Sequence, residues 1–464
     1  MTSAAVLLDE IFALGGRAPA GDMVRFTGAD PVLPTIFPMT EFGAAAIAAP
    51  ALEVARIWEA KTGQTQEVSL QLDAAAAALR AARYLTTDPP PEGGRRLGGL
   101  SVYRTKDERW IYFQQLLPHH RARLHEVLGN PADTDDMIAA VARWDSGELE
   151  EAVVAAGATG SVVRTEEEWA KHPQKAMLDT LPLLEIVRIG DSEPEPLPAG
   201  PRPLSGLRVL DMTRILAGPT AARTLAEHGA DVLRIGADRL PDNEQMRQDT
   251  GHGKRSTELD LTTADDLAKL RTLVTGADVF SQGYRPGAFD KLGLSPEELA
   301  ELRPGIIAVS LSAFGHVGPW RERRGFDSVV QAATGLAEAN SVGSETPVFL
   351  PANPLDYTTG YLAAFGALVA LQRRAEEGGS YLVRVSLAQT GNQLGRLPRF
   401  THEEANSRPK ELLAERLTEL MTSRETPFGR LRYLAPAVQL SRTPGFWELP
   451  TAPLANDEPG WLPR

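Results

Sequence analysis

Hydrophobic and polar positions along the second half of the chain predict strands and helices in regular alternation. Short apolar runs rich in branched residues predict buried strands over residues 207–210, 231–235, 278–280 and 305–311. Helical spacing of the apolar positions predicts helices over residues 219–228, 263–275 and 295–302. This alternation is typical of an α/β protein with a doubly wound, mainly parallel sheet.

A long helix followed by a strand is predicted twice in the chain. In the second half, an amphipathic helix over residues 358–374 leads through two glycines into a strand over 381–387. In the first half, an alanine-rich helix over residues 40–61 leads through a glycine into a strand over 67–72. The two stretches match over roughly 45 residues, which is the signature of an internal repeat. We therefore expect the first half to contain a degenerate copy of an element of the second half.

Shorter elements are predicted between these two parts of the chain. Residues 104–113 have the alternation of a hairpin, and His119 and His120 open a predicted helix. Thr165, followed three residues later by a glutamate, has the spacing of a capping box. These elements predict a smaller α+β region ahead of the alternating half.

Composition and charge narrow the classes of function. The chain has 464 residues, a net charge of −13 and no cysteine. The negative charge argues against nucleic acid or an anionic membrane as a partner, and the lack of cysteine excludes disulfides and a thiol nucleophile. The first residues lack the basic segment of a signal peptide, and no apolar run reaches membrane-spanning length. We therefore expect a cytoplasmic protein.

Several basic residues near predicted strand ends are candidates for binding an anion. The turn over 214–222 precedes a helix whose first N–H groups suit an anion, although its single glycine and spacing favour a plain structural turn. Lys254 and Arg255 follow glycines, and two interpretations are equally favoured. The two side chains bind phosphate, or they form a basic turn before a strand. Arg285 follows a predicted strand and is a second phosphate candidate. Gly236, where a dinucleotide site carries an acid, disfavours a nicotinamide cofactor.

Asp356 is the acidic residue that the pattern singles out, because it stands at the head of the second long helix. One interpretation is a helix cap, and the other is a carboxylate nucleophile. The position alone does not decide between them. His119 and His120 are adjacent and are expected to point apart, and the other histidines are scattered, so no metal site is expected.

The second half resembles the family III CoA-transferases, the group that includes formyl-CoA and carnitine CoA-transferases and the α-methylacyl-CoA racemases. The stretches that carry the resemblance occur in order over residues 203–219, 229–235, 253–256, 284–287, 312–315, 325–327 and 356–360. Residues 107–113 and 165–174 are similar to the small domain of that family, which normally follows the large one. The resemblance therefore implies a permuted order or the remnant of a fused duplication.

The resemblance implies four parts of the chain, with a boundary in the Pro- and Glu-rich stretch before residue 203. Residues 1–95 would be a degenerate copy of a large-domain element, and 96–195 a small α+β domain. Residues 200–400 would be a Rossmann-like domain that binds CoA and carries catalysis, and 401–464 an extended tail that packs on the rest. The tail from about residue 427 is expected to be irregular.

The resemblance also implies a chemistry. Asp356 would attack an acyl-CoA thioester to give a mixed anhydride, the thiolate would return to give an aspartyl-CoA thioester, and an acceptor carboxylate would then take the CoA. The implied contacts with CoA lie at Ile215, Leu216, Ala217, Arg234, Lys254, Arg255 and Arg285. Backbone N–H groups at the start of the Asp356 helix are the expected oxyanion donors. The resemblance implies no metal, and it implies a homodimer.

Departures from the family pattern keep two alternatives open. Gly236 stands where the family often has glutamate, and Leu216 where formyl-CoA transferases have glutamine. Phe326 replaces the histidine of the racemase branch, which disfavours an acyl-CoA racemase or isomerase because an acid/base group is lost. A non-catalytic acyl-CoA-binding protein is the second alternative. The first-half counterpart of Asp356 falls near Glu41, which is expected to be non-catalytic.

Overall fold

The computed structural model describes residues 3–90, 101–240, 242–341 and 343–463. The helices run over Ala4–Leu14 (α1), Met39–Thr62 (α2), Leu72–Ala78 (α3), Ala81–Tyr84 (α4), Pro118–Val127 (α5), Thr134–Val141 (α6), Ser146–Ala155 (α7), Glu166–Ala170 (α8), Pro173–Leu178 (α9), Ala217–Glu227 (α10), Glu244–Thr250 (α11), Ala264–Thr275 (α12), Pro296–Leu302 (α13), Asp327–Ala333 (α14), Leu336–Ala339 (α15), Pro354–Glu377 (α16), Leu387–Arg396 (α17), His402–Asn406 (α18) and Ala414–Leu420 (α19). The strands run over Val24–Thr27 (β1), Val68–Gln71 (β2), Thr86–Asp88 (β3), Val102–Arg104 (β4), Trp110–Phe113 (β5), Gly160–Val162 (β6), Leu184–Gly190 (β7), Arg208–Asp211 (β8), Asp231–Gly236 (β9), Lys254–Glu258 (β10), Val279–Gln282 (β11), Ile307–Ser312 (β12), Ser380–Ser386 (β13), Met421–Thr426 (β14), Gly429–Leu434 (β15) and Val438–Leu440 (β16).

A seven-stranded sheet forms the centre of the second half, in the order β10-β9-β8-β11-β12-β13-β7. Its first six strands are parallel, and β7 pairs antiparallel with β13. The predicted mixed α/β class with a mainly parallel sheet is confirmed. The chain moves outward from β8 to β10 and then returns to β11 on the other side of β8. The connections that follow β8 and β11 therefore run to opposite sides, which makes the gap between these two strands the switch point of the sheet. Open α/β sheets bind their ligands at such a point.

Two elements of this sheet differ from the sequence prediction. Strand β7 belongs to the large sheet, although the predicted division places its residues in the small α+β domain. Lys254 and Arg255 lie inside strand β10, which the sequence pattern left as a possible turn. Strand β10 is an edge strand with a mainly polar sequence, so it lacks the apolar run that marks the inner strands.

The predicted repeat is visible in how the strands and helices connect. Helices α2 and α16 each have 24 residues and end at Gly63 and Gly378, both with positive φ. Each then enters a strand, β2 or β13, that pairs with one parallel and one antiparallel neighbour. The small sheet β1-β2-β16 thus repeats the edge β12-β13-β7 of the large sheet. Both helices are buried, and Phe12 of α1 stacks on Phe365 of α16 with ring centroids 5.2 Å apart.

Two further small sheets complete the described structure. Strands β4, β5 and β6 form an antiparallel sheet with a core of its own that includes Phe113 and Leu149. Strands β14 and β15 form a hairpin that pairs with β3 of the first half. The expectation of an irregular tail from residue 427 is therefore wrong for residues 429–434 and 438–440, whereas residues 441–463 contain no helix or strand. Leu431 and Tyr433 are buried while Arg430 and Arg432 are exposed, so this part of the tail carries the period of two that is typical of a strand.

The stretch between β3 and β4 contains a Pro- and Gly-rich segment that the sequence pattern predicts as a linker over residues 87–94. Strand β3 covers Thr86–Asp88, and residues 91–100 lie outside the described residues. Across the described parts of the chain, no helix combines the length and apolar character required to cross a bilayer.

Candidate active site

A cavity of about 570 Å³ opens at the carboxyl ends of β8, β11 and β12. Its walls come from the loops that follow these strands, from the start of α16 and from α5 of the first half. The cavity therefore lies at the switch point of the large sheet, where the sequence analysis expected a ligand. Its position also means that residues from both halves of the chain face one space.

The loop after β8 forms one wall of this cavity with Ile215, Leu216 and Ala217. Ile215 has a φ of 73°, which is rare for a branched residue and costs on the order of 1–3 kcal/mol. Helix α10 begins at Ala217, so the first N–H groups of the helix and their dipole face this side of the cavity. The wall is therefore suited to an anionic ligand.

Asp356, the third residue of α16, lines the cavity. Its position depends on Asp327, whose Oδ2 accepts hydrogen bonds from the N–H groups of Leu355 at 2.8 Å and Asp356 at 3.0 Å. Gln331 donates to the other oxygen of Asp327. The expectation that N–H groups at the helix start stabilise an oxyanion is therefore not met by these two groups, since Asp327 already occupies them.

Helix α10 packs against the second turn of α16 without a side chain between them. A Cβ atom on Gly360 would lie 2.4 Å from the carbonyl oxygen of Ala217. Only glycine permits this approach, because real Cβ contacts are not that short. The close contact fixes the beginning of α10 beside Asp356 and so joins the two walls of the cavity.

Asp356 and Asp327 are both buried, and their charges interact. Burial raises the pKa of Asp327 to about 6, against hydrogen bonds that lower it. Burial first, and then the neighbouring charge of Asp327, raise the pKa of Asp356 well above its usual value. Two carboxyl groups in one desolvated site resist simultaneous ionisation. Asp356 is therefore a more basic carboxylate than an exposed aspartate once it has lost its proton.

The wall of the cavity carries an excess of positive charge that the sequence analysis largely missed. Among the described residues that line it, Asp356 is the one acid, and the arginines are Arg123, Arg214, Arg239, Arg285, Arg321, Arg323 and Arg324. The chain as a whole has a net charge of −13, so this local concentration runs against the overall balance. The run of residues 321–324, with three arginines in four positions, was a signal in the sequence.

His119 and His120 also line the cavity, and the expectation that they point apart is wrong. Their ring centroids are 4.3 Å apart, and the ring of His120 lies 5.8 Å from that of Phe326. Burial, with the neighbouring His119 and arginines, lowers the pKa of His120 to about 4, so the ring is neutral near pH 7. Among the described residues, no group of three or more His, Asp or Glu side chains is arranged to hold a metal ion.

The predicted CoA-binding residues fall into two groups. Ile215, Leu216, Ala217 and Arg285 line the cavity, whereas Arg234, Lys254 and Arg255 do not. The members of the second group form ion pairs inside the protein, Arg234 with Asp242 at 2.8 Å, Lys254 with Asp211 at 2.7 Å and Arg255 with Asp231 at 2.9 Å. These pairs compensate their charges, and those of Lys254 and Arg255 also join β10 to β8 and β9.

Glu41 occupies in α2 the place that Asp356 occupies in α16. Each is the third residue of its helix, and each donates its backbone N–H to an aspartate, Asp30 or Asp327. The side chains differ in their partners. An oxygen of Glu41 accepts the N–H of Ala4 at 2.5 Å, so this carboxylate holds the start of α1. This contact agrees with the expectation that Glu41 is non-catalytic and leaves that expectation a prediction.

Comparison with known proteins yields one family. The model of CoA-transferase family III matches residues 18–191 and 204–423. An acetyl-coenzyme A transferase of Hypoxylon pulicicidum is 32% identical over 313 residues, which are 62% of this chain and 52% of that protein. A probable fatty acyl-CoA transferase of Mycobacterium tuberculosis is 33% identical over 227 residues, 45% of this chain and 57% of that protein.

These matches cover part of each relative. The chain spans about half the length of the curated relatives it matches, 52% and 57% for the two just described. Among solved structures, a crystal structure of a hypothetical protein from Mycobacterium tuberculosis aligns with a TM-score of 0.39 and 34% identity. That alignment covers 42% of this chain and 58% of the other.

Proposed function

The chain belongs to CoA-transferase family III, and on that premise we propose that it moves CoA between an acyl-CoA thioester and a carboxylic acid, with Asp356 as the nucleophile. The observation that carries the proposal is the place of Asp356. In the part of the chain that the structure describes, it is the one acidic side chain lining the arginine-rich cavity at the strand ends. A buried carboxylate with a raised pKa is a strong nucleophile once ionised, and the arginines of the cavity attract anionic substrates.

The proposed reaction needs no net proton. An oxygen of Asp356 attacks the thioester carbon, the C–S bond breaks, and the CoA thiolate leaves with the electron pair. The thiolate then attacks the aspartyl carbonyl of the mixed anhydride and releases the first acid as a carboxylate. The acceptor carboxylate attacks the aspartyl-CoA thioester and again displaces the thiolate. The thiolate finally attacks the acceptor carbonyl and restores the Asp356 carboxylate, so one thioester and one carboxylate are consumed and one of each is formed.

We place CoA on the wall that the loop after β8 and the start of α10 form. Ile215, Leu216 and Ala217 offer backbone groups and the positive end of the α10 dipole, and Arg285 offers a charge near the phosphates. Arg234, Lys254 and Arg255 would reach CoA only if their ion pairs opened, so we give them no direct contact. The strand order about β8 supports a Rossmann-like description of this half.

Asp356→Asn and Asp356→Ala test the nucleophile. We expect each to lower CoA transfer between a panel of acyl-CoAs and isotope-labelled carboxylic acids by at least about 1,000-fold, as loss of a covalent nucleophile does. Borohydride or hydroxylamine trapping followed by mass spectrometry should locate the adduct on the peptide that contains Asp356. Transfer by Asp356→Asn at a rate near that of the wild type would overturn the proposal.

Two alternative functions, the oligomeric state and the location expected from the sequence stay predictions. Deuterium entry at the α-carbon of an acyl-CoA without an acceptor acid would support the racemase alternative, and the absence of any adduct and any exchange would support the non-catalytic one. Sedimentation would test the predicted homodimer. Cell fractionation would test the predicted cytoplasmic location.

A further inference from the structure

We propose that the acyl group handled at this site carries a second carboxylate, which Arg123 and Arg324 bind. The inference rests on the proposed CoA transfer and extends it to the class of acid. It starts from the positive charges that line the cavity, because some of these arginines have no neighbouring carboxylate to compensate them.

The arginines of the cavity differ in their partners. Arg239 pairs with Asp260 at 2.6 Å, and Arg321 and Arg323 pair with glutamates that lie outside the cavity. For Arg123, Arg285 and Arg324, no carboxylate of the described residues lies within ion-pair distance. Arg123 donates to the carbonyl oxygen of Gly157 at 3.1 Å, which leaves its charge without an opposite charge.

Arg123 and Arg324 come together although they belong to different halves of the chain. The Nη1 atoms of both guanidinium groups lie close to Gly157, at 3.1 Å and 3.3 Å from the point where a Cβ would stand. Burial, and then the charges of Arg285 and Arg123, lower the pKa of Arg324. Half-buried like charges at this spacing repel each other, and an anion between them would remove the repulsion.

The place of Arg324 favours the acyl group over the phosphates of CoA. Arg324 precedes Asp327 by three residues, and Asp327 binds the N–H of Asp356 itself. Three residues span at most about 11 Å between their Cα atoms, and Arg324 lines the same cavity as Asp356, so we place the acyl group between these two side chains. The pantetheine arm separates the phosphates of CoA from the thioester by a much longer path. Arg285 and the loop after β8 are placed to meet those phosphates instead.

The test compares acyl-CoAs of equal chain length that differ in the terminal carboxylate, succinyl-CoA with butyryl-CoA and glutaryl-CoA with pentanoyl-CoA. For the wild type we expect kcat/KM to be at least about tenfold higher for one of the dicarboxylic members, as a charged hydrogen-bonded pair provides. Arg123→Gln and Arg324→Gln should bring that ratio to near one, and Arg324→Lys should restore part of it. Arg121→Gln, which changes an exposed arginine of α5 that does not line the cavity, should leave the ratio as in the wild type.

The outcomes separate this proposal from the one it rests on. An equal loss of kcat/KM for both members of each pair would assign the two arginines to CoA and overturn the inference. A wild-type ratio near one for both pairs would overturn it as well. If the wild type transferred CoA from none of the four thioesters and formed no adduct at Asp356, the proposed function itself would fail. Thermal unfolding of each variant, measured alongside, would show whether a lost ratio comes from a folded protein.

Discussion

The carboxylate of Asp327 accepts the backbone N–H of Asp356 at 3.0 Å, so the residue that caps α16 also lies beside the proposed nucleophile. The contact has two opposing consequences. The cap orders the first turn of α16 and thereby fixes where Asp356 stands. The negative charge of the cap makes Asp356 harder to ionise and, once ionised, more basic.

The raised pKa values predict that transfer increases with pH across the acidic range. Asp356 attacks as a carboxylate, so the rate should be low while the pair keeps its protons and should rise as they are lost. Asp327→Asn removes the neighbouring charge, which should move the inflection of the pH–rate profile roughly one unit lower. The measurement is kcat/KM for one acyl-CoA between pH 4 and pH 9, a range we choose to bracket the pKa of about 6 for Asp327.

Stability should change with pH in the opposite sense to activity. A carboxyl group whose pKa is higher in the folded than in the unfolded state stabilises the fold while it is protonated. That stabilisation is present below the pKa of the unfolded state and is lost as pH rises through the pKa of the folded state, which for Asp327 is about 6.

The pH–rate profile of Asp327→Asn also provides the outcome that would contradict the activity prediction. If it kept the wild-type inflection, Asp327 would not set the ionisation of Asp356.

Gly360→Ala should disturb the site without touching a charged group. The added Cβ would collide with the carbonyl oxygen of Ala217 and force α10 away from α16. Overpacking of this kind costs about 1–3 kcal/mol, and the displaced start of α10 should raise the KM for acyl-CoA. Thermal or urea unfolding gives the first quantity and steady-state kinetics the second.

Gly391→Ala is the matched control for that substitution. Gly391 is also a buried helical glycine, but the nearest atoms to its added Cβ lie at 3.5 Å or more, an ordinary contact. The substitution should leave KM unchanged and should raise helix stability by about 0.5–1 kcal/mol. If both variants behaved alike, the close approach at Gly360 would not be what positions α10.

A feature of the fold or of the site could be predicted from the sequence where the residues that form it are neighbours along the chain. The inner strands β8, β9 and β12 were found because each is a short stretch rich in branched apolar residues, and Asp356 because it lies in a recognisable motif. Arg123 was missed because it reaches the cavity from α5, some 200 residues before Arg324, and only the fold brings the two together. The adjacent histidines were misjudged for a related reason, since helix packing turns both rings toward one cavity.

Lys254 and Arg285 should separate into a structural and a binding residue. Lys254 is 2% exposed and pairs with Asp211, so Lys254→Met should leave a buried carboxylate unpaired and cost about 3–5 kcal/mol. Arg285 is exposed in the cavity, so Arg285→Gln should raise the KM for acyl-CoA about tenfold with little change in stability. Urea unfolding and the KM of each variant check this. A higher KM for Lys254→Met with an unchanged free energy of unfolding would place Lys254 in contact with CoA.

The paired acids at the starts of α2 and α16 allow a comparison within one chain. Glu41 repeats the position of Asp356, but its carboxylate holds the N–H of Ala4 at 2.5 Å and so caps α1. Glu41→Gln keeps an acceptor for that N–H and should transfer CoA at close to the wild-type rate. Glu41→Ala removes the cap and should lower the free energy of unfolding by about 1 kcal/mol while transfer persists. Assays of both variants beside Asp356→Asn decide the matter, because a loss of transfer in Glu41→Gln as large as that in Asp356→Asn would mean that the first-half acid takes part in the reaction.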